Sequence, residues 1–149
     1  VEKINQSYKE IDLILSPAIG GIVVGYEIGR QLNVRTIFAE RENNKLLLRR
    51  GFEIPKNSNV LVIEDVITTG KSAIECSDIV KNYNAKVLGY ACIINRSKDD
   101  FLLGKKVISE IKIEIETFDK NNIPNELKKI TPTKPGSRNS LKWKRKDLV

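Results

Sequence analysis

The stretch Val60–Ser72, VLVIEDVITTGKS, decides the fold. Val60, Leu61, Val62 and Ile63 form a continuous apolar run, the pattern of a parallel strand covered on both faces. Glu64 and Asp65 follow at the expected C-terminal end of that strand, where open α/β sheets place their ligands. Thr68, Thr69, Gly70, Lys71 and Ser72 then supply hydroxyls, a flexible backbone and a helix N-terminus. Backbone N–H groups and the helix dipole suit such a turn to an anion. Gly70-Lys71-Ser72 looks like the end of a nucleotide-triphosphate P-loop, but that loop needs a glycine five positions before Gly70. Position 65 is Asp, which excludes it.

Working outward, Ile11–Leu15 reads as a short apolar strand, and Ser16–Gly21 (SPAIGG) as a tight loop whose glycines let a ligand approach the backbone. Ile22, Val23, Tyr26 and Arg30 share one face of the next helix, with Ile22 and Val23 inward and Asn33 as its C-cap. Val34–Phe38 is the next strand. Ala39–Arg50, AERENNKLLLRR, is a hairpin or a mobile flap turning at Asn43-Asn44, with Phe52–Ile54 extending its second arm. Downstream, Ser72–Tyr83 is helical, with Ala73, Cys76, Ile79, Val80 and Tyr83 inward. Val87–Ile94 is a further buried strand and places Asn95-Arg96-Ser97 on the same sheet edge as Asp65 and Pro17. Lys98–Lys106 reads as a loop, and Val107–Ile115 as a last strand with Ile111, Ile113 and Ile115 alternating. Strands alternating with helices give α/β architecture, a parallel sheet with right-handed crossovers. At 149 residues the chain is expected to form one domain, 1–149, with an irregular basic tail over 131–149.

Two cysteines, Cys76 and Cys92, and no histidine argue against a structural zinc site and for buried free thiols in a reducing cytosol. No apolar run nears the ~18 residues needed to span a membrane, and no signal peptide opens the chain; a cytoplasmic protein is expected. The net charge of +7 fits either nucleic acid or a phosphate-rich substrate. Much of the excess lies in Lys142, Lys144, Arg145 and Lys146, which read as a solvated tail. With no helix-turn-helix evident, nucleic acid is not the expected partner.

The acid pair and T-T-G-K-S turn together resemble the 5-phosphoribosyl-1-pyrophosphate (PRPP) signature of type I phosphoribosyltransferases. SPAIGG resembles that family's pyrophosphate loop, and FAERENNKLLLRRGFEI its flexible catalytic loop. More narrowly, EREN-K-LLRRGFE, VLVIEDVITTGKS, INRS and KPGSR together resemble orotate phosphoribosyltransferases. The resemblance implies transfer of ribose 5-phosphate from PRPP to orotate, giving orotidine 5′-monophosphate and pyrophosphate in pyrimidine synthesis. It implies PRPP binding by Ala18, Ile19, Gly20, Glu64, Asp65, Val66, Ile67, Thr68, Thr69, Gly70, Lys71 and Ser72, and orotate binding by Thr68 and Arg96. Catalytic roles fall to Lys45, Arg41, Glu64 and Asp65, while those of Arg49 and Arg50 are not assigned. Mg²⁺ is implied, held mainly through substrate oxygens rather than a protein cage. A homodimer is implied too, with the flexible loop reaching the partner's site.

Some members carry an aromatic residue and a lysine where Ile19 and Gly20 stand, and many carry a histidine in the flexible loop. Pyrophosphate binding would then rest on backbone N–H groups. Members also carry an N-terminal hood, which this sequence lacks, so it reads as a fragment. The competing readings are a purine or uracil phosphoribosyltransferase and a PRPP-sensing regulator without catalysis.

Overall fold

The computed structural model describes residues 1–116, 118–119 and 121–131. KPGSR and most of the basic tail lie outside the described residues. Two compact units are present, Val1–Ile115 and Glu116–Val149. In the second, the described regular element is a short 3₁₀ helix, Leu127–Lys129.

The first unit is built on one sheet. In chain order it comprises α1 (Glu2–Ser7), β1 (Leu13–Pro17), α2 (Gly20–Leu32), β2 (Arg35–Glu42), β3 (Lys45–Leu48), β4 (Asn59–Ile67), α3 (Lys71–Asn82), β5 (Lys86–Asn95), β6 (Phe101–Leu102) and β7 (Lys105–Lys112). The strands lie in the order β3-β2-β1-β4-β5-β7-β6. The five central strands are parallel, while β3 and β6 are antiparallel edges made by hairpins. The sheet is therefore mostly, not wholly, parallel.

Strand alternation sorts the apolar runs into two cores. Leu13, Leu15, Val60, Val62, Ile37 and Ala39 face α3 and pack with its Ala73, Cys76, Ile79 and Val80. Ile14, Leu61, Ile63 and Ala91 face the other way, against α1's Ile4 and α2's Val24, Ile28 and Leu32. Helices thus cover both faces, as the continuous apolar runs require. Fully burying each such side chain contributes roughly 1.5–3 kcal/mol.

Several local expectations change. Val23 is 73% exposed; α2 instead buries Gly21, Gly25 and Gly29. A Cβ on Gly25 would strike Ser16, and one on Gly29 would strike Thr36, so the helix backbone lies directly on the sheet. Asn33 does cap α2, in the left-handed region at φ 54°. The 39–50 segment forms the hairpin, turning at Asn43 (φ 47°) and Asn44 (φ 65°), the geometry of a two-residue hairpin turn. Phe52–Ile54 does not extend it, since β3 ends at Leu48. The 98–106 loop contains β6. Ile111, Ile113 and Ile115 are 48, 38 and 48% exposed, and Tyr83 is exposed rather than inward. Alternation fixes which side chains share a face but not what covers it.

Candidate active site

From β1 the chain passes through α2 to β2 on one side, and its next parallel neighbour, β4, lies on the other. Strand order reverses there, the place where open α/β sheets leave a crevice beyond the strands' carboxyl ends. Register shows how. β1 pairs with β4 only as far as Leu15↔Val62, while β4 continues beside β5 to Ile67↔Asn95. Glu64 and Asp65 therefore lie inside a longer strand than expected, on a stretch whose β1 side is free.

Three pieces meet at this crevice. The first is the turn Ala18-Ile19, joined by a cis peptide bond and tied to β2 by Ala18 N–H donating to Ala39 O at 2.7 Å. Gly20 then opens α2, and a Cβ there would run into the Asp65 carboxylate. Loop backbone and acid are thus in direct apposition. The second piece is the acid pair. Asp65 Oδ1 accepts from Val66 N–H at 2.9 Å. Glu64 is pushed up to about 7 by burial and then by the neighbouring Asp65 charge; Ser72's hydroxyl and Arg41's charge offset part of this. The third is the turn into α3. Gly70 sits at φ 72°, a conformation that suits glycine, and its O accepts from Ile74 N–H at 2.8 Å as the helix begins.

Arg41 and Lys45 are not brought to one side. Arg41 lies on the α3 face and pairs with Glu75 at 2.9 Å. Glu75 also accepts from Leu46 N–H at 3.2 Å, so one carboxylate holds the hairpin to the helix. Lys45 sits opposite Glu42 in the register and so projects from the other face. Arg50 pairs with Glu40 at 2.7 Å and stacks 5.9 Å over Phe38, while Arg49 pairs with Glu42 at 3.6 Å. Glu75 went unread in the sequence because only the long-range pairing with Arg41 singles it out. Both cysteines are buried and free, and burial pushes the Cys92 thiol up to about 11.

Arg96 follows at the C-terminal end of β5. Its side chain is exposed, but its N–H donates to Ile67 O at 2.7 Å, beside Thr68.

Residues 1–129 match the family of the phosphoribosyl transferase domain. An orotate phosphoribosyltransferase of Caldanaerobacter subterraneus is 45% identical over 86% of this chain and 67% of its own length. The chain belongs to the orotate phosphoribosyltransferase family. Another orotate phosphoribosyltransferase, from Parvibaculum lavamentivorans, is 43% identical over 92% of this chain and 71% of its own. Among solved structures, the adenine phosphoribosyltransferase of Thermoanaerobacter pseudethanolicus shares the fold at TM-score 0.59 and 18% identity, covering 75% of this chain and 77% of that one.

Within this orotate phosphoribosyltransferase-family chain, Gly20 and Asp65 form the tightest juncture of the crevice. Gly20→Ala is expected to weaken PRPP binding by about tenfold, the lower end of the roughly 1.5–3 kcal/mol that a hydrogen bond to a charged carboxylate contributes. Calorimetric titration with PRPP, beside a melting curve close to the parent's, checks this.

Proposed function

We propose that the crevice between β1 and β4 takes PRPP and orotate and transfers ribose 5-phosphate to the base, releasing pyrophosphate. The observation that carries this is the convergence at one switch point of the Gly20 backbone, the acid pair, the turn into α3 and Arg96 beside Thr68. In this reading the N–H groups of Thr68–Ser72 hold the 5′-phosphate, with Val66 and Ile67 lining its approach. Glu64 and Asp65 accept the ribose hydroxyls. The backbone of Ala18, Ile19 and Gly20 faces the pyrophosphate. Arg96 grips the orotate carboxylate as a planar fork, and Thr68 touches the ring.

As the bond from the anomeric carbon to pyrophosphate breaks, the ribose becomes oxocarbenium-like and is attacked by a ring nitrogen of orotate, whose N–H proton passes to the departing pyrophosphate or to water. Arg41 neutralises leaving charge once it exchanges Glu75 for the pyrophosphate. Lys45, facing away from Arg41, would serve the partner subunit of a homodimer. Among the described residues no group of three or more His, Cys, Asp or Glu side chains could hold a metal. Mg²⁺ carried in by PRPP would be held mainly through substrate oxygens and water, and Asp65, against Gly20, and Glu64, on the other face of β4, are hard oxygen donors that each fit it singly. Bound there, the ion would withdraw charge from the leaving group. No described helix is long and apolar enough to cross a membrane. The whole chain, 1–149, would serve this one core.

PRPP-dependent pyrophosphate release, assayed in parallel with orotate, uracil, hypoxanthine and adenine, tests the reading. Release with orotate alone supports it; release with a purine or uracil transfers the assignment, and PRPP binding without turnover favours the sensing regulator.

Mixing Lys45→Ala with Asp65→Asn chains should restore about a quarter of the parental sites if the loop works in trans; the estimate assumes random pairing of equal amounts into two-site dimers. No recovery would place Lys45 with its own subunit.

Glu64 adds a pH prediction. Its folded value, about 7, lies above the ordinary 4.5. The folded chain therefore binds the extra proton, and this contribution to stability fades as pH rises from 4.5 through about 7. Ribose hydroxyls favour the carboxylate, so PRPP binding near pH 7 should release up to about half a proton and tighten with rising pH. Calorimetry in buffers of different ionisation enthalpy should show the release, and Glu64→Gln should remove Glu64's share of it, leaving that of the PRPP phosphates.

A further inference from the structure

Asn95 is fully buried at the end of β5 and carries the residue expected to read the base. Both ends of its side chain are engaged. Oδ1 accepts from Ser97 N–H at 2.9 Å and lies 2.6 Å from Ser97 Oγ. Nδ2 faces Asp99 O at 3.5 Å and Asp100 Oδ1 at 3.4 Å. Ser97 Oγ also lies 2.6 Å from Asp99 O, so its single proton serves one acceptor at a time. Asp100 is held in turn by Lys112 at 2.8 Å. The main chain of Asn95 is fixed as well: its O accepts from Ile113 N–H at 2.9 Å.

Arg96 stands between the two residues that this turn locks. Its own N–H is tied to Ile67 O, on the strand that leads to Thr68. Main-chain freedom at Arg96 is thereby removed from both sides, although its guanidinium reaches solvent. A long side chain rooted in a mobile loop would lose ordering entropy on gripping a carboxylate; a fixed root reduces that loss.

We propose that Asn95, with Ser97, is a specificity-determining positioning residue. Their side-chain turn holds the root of Arg96 so that its fork meets a carboxylate on the bound pyrimidine. An amide is needed rather than an acid. Oδ1 must accept from Ser97 while Nδ2 must donate toward Asp99 and Asp100, and an aspartate would set a second negative charge against Asp100.

The inference rests on the reading of Arg96 given above, and the test separates the two. Orotidine 5′-monophosphate and uridine 5′-monophosphate differ by the carboxylate alone, so the ratio of their dissociation constants isolates its recognition and needs no turnover. Both should be titrated calorimetrically into the full chain and into Arg96→Ala, Asn95→Ala, Asn95→Asp and Ser97→Ala. Arg96→Ala should bring the ratio near one. Asn95→Ala should lower it by about five- to tenfold, the worth of a lost hydrogen bond, with uridine 5′-monophosphate affinity unchanged. Asn95→Asp, which keeps the acceptor for Ser97 but replaces the donor with a charge facing Asp100, should lower the ratio as Asn95→Ala does. Ser97→Ala, at a partly exposed position, should fold even if Asn95→Ala does not, and should lower the ratio about two- to threefold, since it keeps the backbone bond. Equal weakening of both nucleotides would reduce Asn95 to a structural role and overturn the inference. So would an unchanged ratio in Asn95→Ala, or in Ser97→Ala should the former not fold, while Arg96→Ala lowers it. A ratio insensitive to Arg96→Ala would instead overturn the reading of Arg96.

Discussion

Asp65→Asn is expected to cut kcat/KM for PRPP by about 10- to 100-fold while leaving the melting temperature nearly unchanged. Hydrogen bonds to a charged group are worth about 1.5–3 kcal/mol, which converts to that range. The side chain stands on β4 beyond the point where β1 stops pairing, so it carries little of the core. One oxygen already accepts from Val66 N–H, which leaves the other for a ribose hydroxyl. Asparagine keeps the shape and removes the charge, so fold and chemistry separate cleanly. Initial-rate kinetics with PRPP varied, set beside a thermal melt, check it. Unchanged kcat/KM would remove Asp65 from the ribose site; a lowered melting temperature would make its role structural.

Arg96→Ala should raise the orotate KM by about 10- to 100-fold and leave the PRPP KM within about twofold, since a charge-assisted pair is lost at one substrate only. The exposed guanidinium makes a folding effect small, and the backbone bond from its N–H to Ile67 O survives the change. Preference for orotate over uracil should collapse together with the orotate KM. Lysine at this position should recover only part of the effect, because a point charge cannot match a planar fork. Equal effects on the two substrates would move Arg96 out of the base pocket.

Much of this was legible in the residues alone. Continuous or nearly continuous apolar runs at Leu13–Leu15, Val60–Ile63 and Val87–Ile94 can only be strands or buried helix, and their short length decides for strands. The acid pair and the turn into α3 were legible because each residue type answers a chemical need at a fixed spacing. The inner face of α2 was not. Glycine carries no hydropathy signal, so the sequence pattern turns Ile22 and Val23 inward, where the structure buries Gly21, Gly25 and Gly29. Arg41 and Lys45 stand four residues apart in one sequence segment, and only strand register shows that they leave opposite faces. Glu75 and the role of Asn95 depend on partners distant in sequence or on a loop path that composition does not encode.

The close seating of α2 on the sheet has a consequence for how this chain can vary. At Gly21, Gly25 and Gly29 an added methyl would meet backbone or a buried side chain, whereas Val23, Tyr26 and Arg30 face outward. Mutational tolerance along α2 should therefore be near zero at the glycines, restrained at Val24, Ile28 and Leu32, which pack on the sheet, and broad at Val23, Tyr26 and Arg30. The loop that precedes the helix inherits that constraint, because Gly20 approaches Asp65 only while the helix axis stays near the sheet. Change around the crevice is thus most restricted where the backbone of Gly20 meets the Asp65 carboxylate.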